Sequence, residues 1–172
     1  MRFLFIGRYE RRKGIEELHE AIQKVSDPRA EFHFIGPIPE KHQLQRQNVY
    51  YHGPLAKQEA IQAISRTCDV LVCPSYSEGM PNVILEAMAS GLMILTTDVG
   101  AVNLMVDSDN GTLIAIEELK QLHLHIESIL SLKEAELMQK KLSSIAKVKA
   151  HFLWDDIAKR HLEFFELNRK VS

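Results

Sequence analysis

Cysteine is scarce: the 172 residues include only Cys68 and Cys73, without Cys-x-x-Cys spacing, so neither a disulfide framework nor a thiolate metal site is expected. Both adjoin a predicted buried strand and read as reduced core thiols, which sets a cytoplasmic expectation. Long apolar runs are missing too, and the longest stretches fall far short of a membrane span. Charge is close to balance, with 21 Lys and Arg against 23 Asp and Glu, so bulk electrostatics points to neither nucleic acid nor a membrane surface. No Gly-x-Gly-x-x-Gly follows the first strand and no Gly-Lys-Ser/Thr phosphate loop occurs, which argues against dinucleotide oxidoreduction and ATP hydrolysis. The eight histidines show no zinc spacing. His123 and His125 are too close on a helix to share a face, and His19 is expected on a helix surface.

What is present is alternation. Short β-branched and aromatic runs predict strands over residues 2–6, 31–35, 49–52, 69–73, 93–96 and 111–114. Helical spacing predicts helices over 15–25, 57–67, 82–90, 117–130, 132–148 and 154–168. The expected fold is a single α/β domain over residues 1–172: a doubly wound, mostly parallel open sheet of about six strands, Rossmann-like, with helices on both faces. A chain of this length buries roughly 70% of its unfolded surface, enough for a core. Such sheets bind ligands beyond the carboxyl ends of their strands, where strand order reverses. Gly7-Arg8, Gly36, His52-Gly53, residues 75–79 and residues 98–100 all follow strand ends and are expected to converge on one cleft. His52 either lines that cleft or is structural. Asp107-Ser-Asp109 has metal-pair spacing but sits before Asn110-Gly111, which favours a plain turn. Ser75 and Ser77 have no base nearby in sequence, so a hydrolase nucleophile is disfavoured.

Residues 74–91 organise the rest. The run reads Pro-Ser-Tyr-Ser-Glu-Gly-Met-Pro-Asn-Val-Ile-Leu-Glu-Ala-Met-Ala-Ser-Gly. Pro81 suits a first helical turn, and Gly91 supplies a helix-closing left-handed residue. The helix between is apolar and reads as buried, apart from Glu86, whose carboxylate there needs a hydrogen-bond partner. Ser77, Glu78, Gly79, Met80 and Asn82 stand at its mouth. Free first-turn amides and the helix dipole favour an anion at that position, and Gly79 permits close approach. Glu78 and Glu86 would accept bonds from hydroxyls, so a phosphorylated polyol such as a nucleotide sugar fits. The same residues also fit a strand-to-helix turn with a surface Glu78 and an ion-paired Glu86.

A second cluster follows the first strand. Arg8, Arg11, Arg12 and Lys13 crowd a helix start, where cations are disfavoured by ~0.3–1 kcal/mol each. Arg11 and Arg12 read as a solvated basic loop. Arg8, after Gly7, and Lys13, before Gly14, read as phosphate contacts.

At Gly7-Arg8, Lys13-Gly14, residues 78–82 and residues 86–91 the chain resembles the donor-binding half of retaining GT-B glycosyltransferases, the family of sucrose synthases and bacterial mannosyltransferases. Val99-Gly100, residues 109–114 and residues 152–154 look like later parts of the same pattern. The resemblance implies that Arg8 and Lys13 bind the diphosphate, Glu86 the ribose and Glu78 the sugar, with Ser77, Gly79 and Met80 framing the ligand. It implies transfer of a hexosyl unit from a UDP- or GDP-type sugar, with no metal or cofactor beyond that donor. It also implies an N-terminal acceptor-binding domain outside this sequence, through which any membrane association would run. Ala101 and Leu104 depart from the pattern, where members commonly carry glycine and glutamate. Alternative readings are a non-catalytic nucleotide-sugar sensor or assembly partner, and an epimerase or phosphorylase of the same architecture.

Overall fold

In a computed structural model, which describes residues 1–153, the chain forms one sheet of parallel strands. The strands are β1 (Arg2–Ile6), β2 (Glu31–Ile35), β3 (Val49–Tyr51), β4 (Val70–Cys73), β5 (Met93–Thr97) and β6 (Gly111–Ile114). Their spatial order is β3-β2-β1-β4-β5-β6, so strand order reverses between β1 and β4.

The strands are short continuous apolar runs because both faces of the sheet are covered. On one face, Phe3, Phe5, Phe32, Phe34, Val70 and Val72 pack beneath α1 (Ile15–Lys24) and α4 (Leu122–Leu130). Register places Phe3 opposite Phe32 with ring centroids 5.3 Å apart, and Phe5 opposite Phe34 at 5.7 Å. On the other face, Leu4, Leu71, Cys73 and Ile94 meet Ile84, Ala87 and Met88 of α3 (Asn82–Ala89). Ile61 and Ile64 of α2 (Gln58–Ser65) and Val148 of α5 (Glu134–His151) complete that second core.

Three expectations are corrected. The helix predicted over 117–130 is two pieces, a 3₁₀ segment Ile116–Gln121 followed by α4. Leu119 and Leu122 are both buried, and their spacing of three suits the tighter turn. The helix predicted over 132–148 begins at Glu134 and runs to His151, with the Glu136 carboxylate accepting the Lys133 N–H at its start. His19, expected on the surface, is buried. It occupies the inward slot next to Leu18, with its edge on the Phe34 ring and Nε2 3.1 Å from the Tyr51 hydroxyl. The predicted 154–168 helix, including Trp154, lies outside the described residues. Cys68 and Cys73 are buried and free, and residues 107–111 form a turn in which Asp107 accepts the Asp109 N–H. No described helix is long and apolar enough to cross a membrane.

Candidate functional site

The reversal between β1 and β4 sends their following loops to opposite faces of the sheet and opens a crevice at the carboxyl ends. The loop after β1 passes Gly7 and Arg8, makes a 3₁₀ turn at Arg11–Lys13, and ends on Gly14 at φ 65°. A side chain at Gly14 would place its Cβ 1.8 Å from the Pro74 carbonyl oxygen, so glycine allows the two loops to touch. Tyr76 N–H then donates to the Arg12 carbonyl at 2.8 Å, fastening one loop to the other.

The four cations divide between local and cross-crevice partners. Arg11 pairs with Glu17 at 2.6 Å, donates to the Tyr76 hydroxyl at 2.9 Å and lies 4.4 Å from that ring's centroid. Arg12 donates to Glu10 at 2.8 Å. Carboxylates from Glu10, Glu16 and Glu17 thus offset the crowding that the sequence suggested. Arg8 sits on the rim, its side chain 76% exposed and 3.7 Å from Glu10. Lys13 instead crosses the crevice, and its Nζ donates to Glu78 Oε1 at 2.5 Å. Both side chains are largely shielded.

On the β4 side, Ser75 is buried and its hydroxyl donates to the same Glu78 oxygen at 2.8 Å. Thr97 donates its hydroxyl to the Ser75 carbonyl, and Thr96 donates to the Cys73 carbonyl at 2.9 Å. Ser77, Gly79 and Met80 are exposed at the mouth. A Cβ on Gly79 would meet open space, whereas Gly100, at φ 59°, lies against the Glu78 carbonyl. Ala101 N–H donates to the Gly79 carbonyl at 2.9 Å, so the loop after β5 joins the same cluster. Leu104, at the end of a 3₁₀ turn in that loop, is 71% exposed.

Pro81 caps α3, and no side chain bonds its first turn, leaving amide donors at the mouth. Glu86 differs from expectation. It is exposed, in the stripe Asn82, Glu86 and Ala89, while Ile84, Ala87 and Met88 face the core. The helix is half-buried, so its carboxylate is solvated one turn from the mouth instead of needing a buried partner. The structure therefore brings Lys13 and Glu78 into contact, with Gly7, Ser77, Gly79, Met80 and Pro81 on the two loops around them and Asn82 opening α3. Arg8 and Glu86 make no direct bond to the pair.

The buried thiols and the His33–His52 pair are chemically quiet, and of the two cysteines only Cys73 lies at the crevice end of β4. Burial raises the Cys73 thiol, keeping it protonated, and pushes Cys68 up to about 11. His52 bonds His33, with Nε2 and Nδ1 3.1 Å apart, and burial lowers both imidazoles. Sequence reading weighed Ser75 only as a disfavoured nucleophile and missed its bond to Glu78. Its spacing of three from Glu78 was the available signal, but only the buried turn makes that spacing a hydrogen bond. Among the described residues, no group of three or more His, Cys, Asp or Glu could hold a metal. A groove of about 630 Å³ beside Asp109, Ala135 and Lys140 lies towards the amino ends of the strands and includes none of these residues.

The model of the family "Glycosyl transferases group 1" matches residues 1–131. A putative teichuronic acid biosynthesis glycosyltransferase, TuaC of Bacillus subtilis, is 39% identical over 101 residues, covering 58% of this chain and 25% of that protein. The N,N'-diacetylbacillosaminyl-diphospho-undecaprenol alpha-1,3-N-acetylgalactosaminyltransferase of Campylobacter jejuni is 30% identical, covering 95% and 44%. The chain thus spans less than half the length of either relative. Sucrose-phosphate synthase from Thermosynechococcus elongatus has the same fold, with a TM-score of 0.82 and 24% identity over 99% of this chain and 46% of that one. Anabaena HepE, solved with UDP and glucose, superposes with a TM-score of 0.80 at 19% identity, over 96% and 48%.

Proposed function

The chain belongs to the glycosyl transferases group 1 family, and from that premise we propose that it is the donor-binding half of a retaining glycosyltransferase of GT-B architecture. Its donor is a nucleoside diphosphate hexose, and its partner is an N-terminal acceptor-binding domain. The observation that carries this reading is the Lys13–Glu78 contact at the point where strand order reverses, beside the open amides of α3. A cation, a helix amino end and a carboxylate within one crevice match the phosphates and hydroxyls of a sugar nucleotide.

The diphosphate lies between Arg8, Lys13 and the first turn of α3. Glu78 accepts from sugar hydroxyls and Glu86 from the ribose, while Gly7, Ser77, Gly79 and Met80 leave room along the backbone. As the bond from the anomeric carbon to the diphosphate breaks, negative charge grows on the departing phosphate oxygens. Arg8, Lys13 and the helix amides stabilise that charge, the work a divalent ion would otherwise perform. The acceptor oxygen forms the new bond, and its proton leaves with the diphosphate. That step needs the acceptor domain, so the chain alone binds donor and turns over little.

The test is titration calorimetry of the chain with UDP, GDP and ADP and their common hexose derivatives. Binding of at least one nucleoside diphosphate, and tighter binding of its sugar, is expected. A folded chain that binds none of them overturns the proposal.

A further inference from the structure

The crevice contains one hydroxyl that the donor-binding reading leaves without a role. Ser75 Oγ donates to Glu78 Oε1 at 2.8 Å, and Lys13 Nζ donates to the same oxygen at 2.5 Å. Oε2 has no partner among the described residues and is not sealed from solvent. We propose that Ser75 is a positioning residue, holding Oε1 of Glu78 so that Oε2 alone is presented to the donor sugar. This rests on the donor-binding reading.

Lys13 cannot do this by itself. An ammonium group is a compact point charge with rotatable donors and does not distinguish the two oxygens of a carboxylate, whose terminal torsion is broad. It also has three donors and uses one here, leaving the others for a diphosphate. A diphosphate taking those donors would reorient the ammonium, and the bond from Ser75 is the one whose direction stays fixed.

Ser75 is built for that task. It is only 1% exposed, and the Thr97 hydroxyl fixes its carbonyl. Cys73 Sγ lies 3.6 Å from its Oγ. Burial keeps that thiol protonated, so S–H can point at the serine oxygen while the serine O–H points at Glu78.

Calorimetry of wild type, Ser75→Ala and Ser75→Thr, with UDP against UDP-glucose and GDP against GDP-mannose, tests the proposal. The quantity read is the gain in affinity that the sugar confers over the bare diphosphate. Ser75→Ala is expected to lower sugar-nucleotide affinity about tenfold while diphosphate affinity stays within about twofold. A Ser75→Thr variant that melts like wild type, keeping the hydroxyl, is expected to restore the gain. An undiminished gain in Ser75→Ala, an equal loss for diphosphate and sugar nucleotide, or no rescue by folded Ser75→Thr overturns the assignment. Wild type that binds none of these four ligands, nor ADP or its hexose derivatives, defeats the donor-binding reading itself, and the role of Ser75 falls with it.

Discussion

Lys13 and Glu78, 65 residues apart in sequence, share a hydrogen bond of 2.5 Å that ties the loop after β1 to the loop after β4. The Glu78 side chain is 9% exposed, and its polar partners are that ammonium and Ser75. Lys13→Met is expected to cost about 1–3 kcal/mol by stranding a shielded carboxylate, and Glu78→Gln in the same background to recover most of it. Urea denaturation of the single and double variants measures both. Arg8→Ala is the contrast: its side chain is 76% exposed, so stability should change by less than about 0.5 kcal/mol. Diphosphate affinity should nevertheless fall about tenfold.

Glu86 sits on the exposed stripe of α3 and supports no core contact. Glu86→Gln should therefore leave the melting temperature unchanged. If its carboxylate receives the ribose, wild type will discriminate against a 2′-deoxynucleoside diphosphate by roughly tenfold, and the variant will not. Equal discrimination in the two proteins would remove Glu86 from the site.

Acid should destabilise the fold through a residue far from the sugar. Burial among apolar groups and the nearby His42 hold His19 down to about 4, only partly opposed by Glu16, against an ordinary value of 6.5. Between those values the unfolded chain binds a proton that the native one refuses, so stability falls as pH drops through the window. The loss is about 2–3 kcal/mol from pH 7 to pH 4. His33 and His52, also lowered by burial, add in the same direction. His19→Gln should flatten the dependence, as read by denaturant unfolding at a series of pH values.

Two glycines at the mouth should respond oppositely. Gly100 is left-handed, and an added Cβ would lie 2.1 Å from the Glu78 carbonyl, so Gly100→Ala should cost about 1–3 kcal/mol and weaken sugar binding together. Gly79 faces open space. Gly79→Ala should leave stability within about 0.5 kcal/mol yet reduce affinity for a donor bound as proposed, because its methyl enters the open space at the mouth. Melting curves and calorimetry on the two variants separate these outcomes.

The strands were readable because each is a short apolar run bounded by glycine, proline or polar residues, and two-sided burial makes that signal strong. The approach of the loops after β1 and β4 followed from alternation, since a parallel sheet must place those exits at one edge. Two kinds of error have physical causes. Glu86 looked buried because apolar content was read without phase, and the eight-residue α3 still turns a stripe to solvent. His19 looked exposed because its polarity was weighed above its position beside Leu18, though Tyr51 satisfies it inside. Ser75 was weighed only as a nucleophile, because its bond to Glu78 depends on a tight turn that composition does not encode. The Lys13–Glu78 bond escaped for a related reason: the motifs suggested a ligand for each side chain, whereas the fold pairs them with one another.

The contact of Gly14 with the Pro74 carbonyl, reinforced by the bond from Tyr76 to Arg12, welds the two banks of the crevice at their base. A nucleotide bound as proposed would meet loops already joined at their base, and its capture is expected to be governed by encounter and charge steering.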